Sequence, residues 1–237
     1  MIKNGHRYPW VTHPGSDIAP PNDPLSAFQF SSLATIETDS AGSNDMTMVG
    51  TGQVGSGVNG NAAKWTSSSA YMSTSGLVTG DFSSSGWCRA TGLTGTGTST
   101  VSPARFAASA TQQIYVTVTD GSVADGYYDV AITYVDGSHN GGATFYVADE
   151  DWFFWCIVCD MGHSLICQVD DEIQTITHQA PNWHTSMTGD INIISTYASG
   201  NGSEMFTDEF YAWDADLLTT AERSWLRNGG TGNFYPF

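Results

Sequence analysis

The side chains best equipped for chemistry cluster in the second half of the chain. Cys156, Cys159, His163 and Cys167 follow the spacing Cys-x2-Cys-x3-His-x3-Cys. Thiolate and imidazole ligands this close suit tetrahedral zinc, although a zinc knuckle has one more residue in each of the two later gaps. The same residues also read as strand interior. Trp152 to Cys159 is almost wholly apolar, and alternation along a strand sends Cys156 and Cys159 to opposite faces. Buried thiols then act as small apolar groups, and no metal site is assigned. Carboxylates form a second set: Asp149-Glu150-Asp151, Asp170-Asp171-Glu172, Asp208-Glu209 and Asp214-x-Asp216. Hard oxygen ligands suit calcium, but Asp is equally a turn residue that binds nearby amides. No cofactor is expected, calcium being the one ion these groups would suit. A third set, Tyr127, Asn182, Trp183, His184 and Tyr197, lies near predicted loops. Aromatic faces beside polar groups can stack against sugars, so these are the candidate glycan-binding residues; ordinary edge packing competes for them. No Gly-x-Ser-x-Gly elbow and no Gly-rich phosphate loop are present, and no residue is given a catalytic role.

The elements that would position these groups are strands. Gly numbers 26 in 237 residues, with 8 Trp, 10 Tyr and 11 Phe, a composition suited to short strands, many turns and a large aromatic core. Ala27–Phe30, Met46–Val49, Ala62–Trp65, Ala70–Met72, Phe82–Ala90 and Ile114–Thr119 read as strands. Gly50 to Gly60 reads as a glycine-rich connection. Tyr128–Val135 and Ala143–Val147 read as a hairpin turning through Asp136-Gly137 and Gly141-Gly142. Trp152–Cys159 should be covered on both faces, and Cys167–Val169, Ile191–Ser195 and Phe206–Trp213 complete about a dozen strands. One helix is expected after Thr219, the N-cap of a capping box with Glu222; Gly229 stops it.

Residues 1–25 read as an extended Pro-rich arm, and 26–237 as the folded domain. Tyr8, Trp10 and Val11 form the arm's only apolar knot, placed to dock on a neighbouring subunit. Met1–Pro24 holds no apolar run of about 7–15 residues, so no signal peptide is expected. No stretch approaches ~20 apolar residues, so no membrane span is expected. The four Cys are not spread as a disulfide framework would be and are read as reduced. Net charge is −17, from 24 acids against 7 Lys plus Arg. Such a surface repels phosphate backbones and anionic lipid, which argues against nucleic acid and membrane as partners.

Four stretches together resemble the laminin-G-like domains of the concanavalin A-like superfamily, over about residues 27–232. Asp39-Ser40-Ala41-Gly42 with Gly57 to Ala63 is similar to the opening strands. Asp81 to Trp87 is similar to a DFTISFWV strand, with Gly86 as the departure. Asp151-Trp152 to Asp160, closing with Cys167-Gln168-Val169-Asp170, is similar to a DWHHVAxTYDG…LYVDG hairpin. Asp208 to Glu222 with Asn228-Gly229-Gly230 is the most specific, close to a DEvriynraLtaaEi…lyNGG ending. The resemblance implies an all-β fold: a two-sheet antiparallel jelly-roll sandwich with one short C-terminal helix, preceded by the extended arm. It also places Cys156 at a small core position and Cys167 in the returning strand. Glycosidases of that superfamily carry Glu-x-Asp-x-x-Glu on a strand; here Glu37-Thr38-Asp39 begins such a run, but Gly42 stands where the second Glu must be.

Phages carry laminin-G-like domains on their virions, so the resemblance implies a non-catalytic virion structural protein: a head decoration, a spike or a tail-associated protein. Such a protein is made in the host cytoplasm and resides on the virion. Its expected partners are other capsid or tail proteins through the arm, further copies of itself, and host-surface glycans. The alternative is a carbohydrate-recognition module of a cellular or secreted protein, against which this reading sets the lone-domain length and the unprocessed N-terminus.

Overall fold

The computed structural model describes residues 20–30, 32, 37–66, 70–75, 78, 80–93, 100–109, 111–120, 126–137, 139–161, 163–177, 190–193 and 203–236. Its strands are β1 (Ser26–Phe28), β2 (Thr47–Val49), β3 (Gln53–Ser56), β4 (Asn61–Trp65), β5 (Tyr71–Ser75), β6 (Phe82–Thr91), β7 (Thr100–Ser109), β8 (Gln112–Asp120), β9 (Tyr127–Asp136), β10 (His139–Ala148), β11 (Phe153–Asp160), β12 (Ser164–Val169), β13 (Glu172–Thr177), β14 (Asp190–Ile193) and β15 (Glu204–Asp214). A helix, α1 (Thr220–Arg227), runs into a 3-10 turn at Asn228–Gly230. One sheet has eight strands, ordered β13-β12-β11-β6-β15-β4-β3, with β1 also on β15; the other has seven, ordered β10-β9-β8-β7-β14-β5-β2. The result is an antiparallel all-β sandwich of jelly-roll type.

Alternation explains the layers. Along β11, Phe153, Trp155, Ile157 and Cys159 face the space between the sheets. Phe154, Cys156 and Val158 face outward into a second apolar cluster with Trp87, Tyr211 and Trp213, capped by Leu218 and by Leu226 of α1. The central strand therefore has no polar face, as its composition requires. Before β1, Pro21 and Pro24 are buried, and Asn22 accepts from the Trp213 indole at 2.8 Å. Among the described residues no helix is long and apolar enough to cross a membrane.

Several elements differ from the sequence reading, each for a physical reason. The β9–β10 turn is tighter than expected: Asp136 already pairs with His139, and Gly141 and Gly142 lie inside β10. They are glycines because a Cβ on Gly141 would sit 2.7 Å from Cζ and the hydroxyl of Tyr134, and one on Gly142 2.7 Å from the Ile132 carbonyl. The glycine-rich stretch holds a strand, β3, because Gly55 gives way to the Phe206 ring. The Ala-rich β7 accommodates Pro103 at a register shift between Val101 and Ala104, where a missing amide hydrogen costs little. Gly86, the departure from the resemblance, leaves room for Trp155, whose indole would lie 3.1–3.2 Å from an added Cβ.

Candidate functional site

Of the candidate glycan residues, Tyr127 is placed on the surface, 49% exposed, at the start of β9. Asn182, Trp183, His184 and Tyr197 lie outside the described residues, as do Tyr8, Trp10 and Val11 of the arm. Beside Tyr127 stands a residue the sequence reading passed over. Tyr146 on β10 is 69% exposed. Tyr128, Val130, Ile132, Phe145 and Val147 fill the inter-sheet core, so alternation turns Tyr127, Asp129, Thr144 and Tyr146 to the outer face of the seven-stranded sheet. Tyr146 pairs directly with Asp129, and Tyr127 with Ala148. The two tyrosines are thus diagonal neighbours, about 7 Å apart across the strands. Around them Ala131, Thr144, Ala148 and Thr119 have short side chains. The signal was in the sequence: Thr144-Phe145-Tyr146-Val147 alternates, with Tyr146 in the outward phase.

The carboxylates divide by environment. Asp39 accepts amide hydrogens from Ala27, Ala41, Gly42 and Asn44 at 2.9–3.1 Å. Burial pushes its carboxyl up, yet these bonds and Ser26 hold it below the ordinary value. Glu37 accepts from the amide of Met48. Both members of the partial glycosidase run are therefore committed to backbone amides. Asp170 accepts from the Phe154 amide at 3.1 Å and lies 3.7 Å from the Arg227 guanidinium, which also bonds Asp171. Asp216 accepts from Asn22 at 3.0 Å.

Asp208 and Glu209 are different, both being buried. A bulge in β15 between Asp208 and Tyr211 adds one residue opposite Trp87–Ser85, with Glu209 at φ 50. Asn59, in the β3–β4 turn, donates its amide to Asp208 at 3.0 Å and its side chain to Glu209 at 3.0 Å. The Tyr211 hydroxyl donates to Glu209 and accepts from the Tyr235 amide at 2.9 Å. Asp208 Oδ1 has no hydrogen-bond partner among the described residues. Burial, with the neighbouring Glu209, pushes the Asp208 carboxyl up to about 7, and burial raises Glu209 as well.

The cysteines separate as alternation requires: Cys156 faces outward, while Cys159, Cys167 and Cys88 face the inter-sheet core. All four are free and buried. Burial raises every thiol, Cys156 and Cys167 to about 12. His163 is on the surface, bonded to Asp160 at 3.0 Å. Among the described residues no three His, Cys, Asp or Glu side chains gather as a metal site.

The chain matches no family model and no curated protein. Solved structures do match in fold. The binding domain of botulinum neurotoxin DC in complex with rat synaptotagmin II has a TM-score of 0.65 and 13% identity, over 87% of this chain and 51% of that one. The same domain in complex with SialylT gives 0.65, 13%, 87% and 51%. The binding domain of botulinum neurotoxin serotype C1 gives 0.65, 14%, 89% and 52%. This chain spans about half the length of each, and at such identity the likeness is one of fold.

Proposed function

We propose that this chain is a non-catalytic laminin-G-like recognition domain, carried on a phage virion, that presents a glycan-binding face. The observation that carries the reading is the pair of exposed tyrosines on an outer sheet face. The large aromatics that are fully buried, among them Trp65, Trp155, Trp213, Phe106 and Phe145, fill the interior; Tyr127 and Tyr146 instead offer their rings to solvent. Rigid strands hold them, which limits the entropy lost on binding. Receptor-binding domains of the same sandwich fold, one with SialylT, support recognition as a use of this architecture. The composition of the arm, with its Tyr8, Trp10, Val11 knot, supports attachment to capsid or tail proteins, with the domain displayed in several copies.

The second reading, a carbohydrate-recognition module of a larger cellular or secreted protein, is favoured by one observation: the matching sandwiches are about half of longer binding domains. Protein gels of purified virions separate the two. Under the first reading this chain is a high-copy band, and deletion of residues 1–19, which spares Pro21, Asn22 and Pro24, removes it from the particle. Its absence from virions leaves the second. A glycan array with the whole chain tests what both share.

A further inference from the structure

We infer that Tyr127, Tyr146 and Asp129 form one sugar subsite, and that it selects neutral sugars over acidic ones. The inference rests on the glycan-binding reading above and names its ligand class. A pyranose ring has an apolar face of C–H groups and an equator of hydroxyls. Two tyrosines at diagonal positions, about 7 Å apart across the strands, supply the apolar surface. Asp129 sits where hydroxyls would be met: it is paired across the strands with Tyr146 and is two residues along the same face from Tyr127. A carboxylate accepting hydroxyl hydrogens makes charge-assisted bonds, stronger than those between neutral groups. Thr119 pairs with Asp129 on its other side, placing a further hydroxyl in the same row.

The charge around the subsite sets the selectivity. Asp149 closes onto this end of β9, its amide donating to the Gly126 carbonyl at 3.0 Å. Glu150 and Asp151 follow in the same turn. Buried Tyr128, next to Tyr127, is raised first by burial and then by the negative charges of Asp149, Glu150 and Asp120. The only lysine or arginine on the described parts of β7, β8, β9 and β10 is Arg105, engaged with Gln113 at 2.7 Å. A sialic acid or uronate carboxylate brought beside Asp129 would meet like charge with no lysine or arginine on the described parts of β8, β9 and β10 to offset it, whereas a neutral hexose meets Asp129 as an acceptor for its hydroxyls without that repulsion.

The test begins with a glycan array of neutral oligosaccharides and their sialylated counterparts, probed with the whole chain. Titrations with lactose, maltose, cellobiose and 3′-sialyllactose follow. Neutral glycans should be retained and sialylated ones should bind at least about tenfold more weakly. Tyr127→Ala and Tyr146→Ala should each weaken neutral binding about tenfold, the scale of losing one well-placed ring. Tyr146→Phe, which keeps the ring, should retain most of the affinity. Asp129→Asn should narrow the preference for neutral over acidic sugars. Both tyrosines are surface residues, so their removal leaves the core intact. Neutral binding unchanged in both alanine variants would overturn the subsite while leaving glycan recognition standing. Sialylated glycans bound as well as neutral ones would overturn the selectivity. A silent array overturns the glycan reading itself.

Discussion

Asp208 carries two costs at once: its carboxylate is out of water, and Glu209 beside it repels a second negative charge. The groups facing it come from the β3–β4 turn, through Asn59, and from β15, through Glu209 and Tyr211. With its folded value about 7 against 3.8 for the free side chain, the group binds a proton more tightly folded than unfolded. Its contribution to stability is therefore full below pH ~4, declines as pH rises from ~4 to ~7, and is gone above that. Asp208→Asn removes this slope. The variant should melt near the wild type at pH 4 and above it at pH 8, by an amount on the order of a few kcal/mol; thermal melts across that range check it, and an unchanged slope would refute it. Gly141 gives a steric counterpart. Gly141→Ala drives a methyl into Tyr134 and should destabilise by about 1–3 kcal/mol. Pairing it with Tyr134→Leu should lose less than the two single changes added, because both act on one space; urea melts of the three variants decide this. Tyr146 was legible from alternation. The outward pairing of Asp208 with Glu209 was not, because the bulge breaks the period of two: Met205 and Phe210 both face the inter-sheet core although five positions apart.

The helix was the most legible element, since its ends are written in local chemistry. Thr219 accepts from the Glu222 amide at 3.3 Å and Glu222 reaches back to the Thr219 amide at 2.7 Å. Asn228 takes the left-handed C-cap at φ 46, with Gly229 at φ 62 after it. Strands β3, β7 and β13 were not read, because glycine, alanine and polar residues there hide the apolar period that marks a strand. The sequence also did not show what α1 covers. Leu226 packs in the outer cluster that also holds Cys156, and Arg223 bonds Gln168 of β12 at 2.9 Å and the Leu218 carbonyl at 2.7 Å. Leu226→Ala should cost about 2–4 kcal/mol and loosen this layer before the inter-sheet core. Thiol labelling followed by mass spectrometry then has an ordered outcome. In the wild type all four cysteines resist alkylation, being buried with raised thiol values. In the variant Cys156 should react first, with Cys88, Cys159 and Cys167 protected until global unfolding. Equal labelling of all four would mean that the two layers open together.

At the scale of the molecule, charge is the dominant unspent variable. The chain carries −17, and most of the cations in the described structure are engaged: Lys64 with Glu204 at 2.7 Å, Arg227 with Asp170 and Asp171, Arg223 within the outer layer, and Arg105 with Gln113. The excess of acids over bases leaves a net negative charge, and self-repulsion works against the compact state. Screening length falls from about 30 Å at 10 mM salt to about 8 Å at 0.15 M, so the melting temperature should rise by several degrees over that interval and level off beyond it. The composition foretold the sign of this effect; its size depends on which carboxylates the fold brings together. The same melts separate general screening from specific calcium binding. Asp39, Asp170 and Asp216 already accept protein hydrogens, and no three-carboxylate group stands among the described residues. Calcium, magnesium and sodium chlorides at matched ionic strength, with chelator as the reference, should then stabilise to nearly the same degree, the divalents slightly ahead through their charge. A rise with calcium well beyond magnesium would instead identify a selective oxygen site, because the two ions differ in the ligand number and geometry they demand.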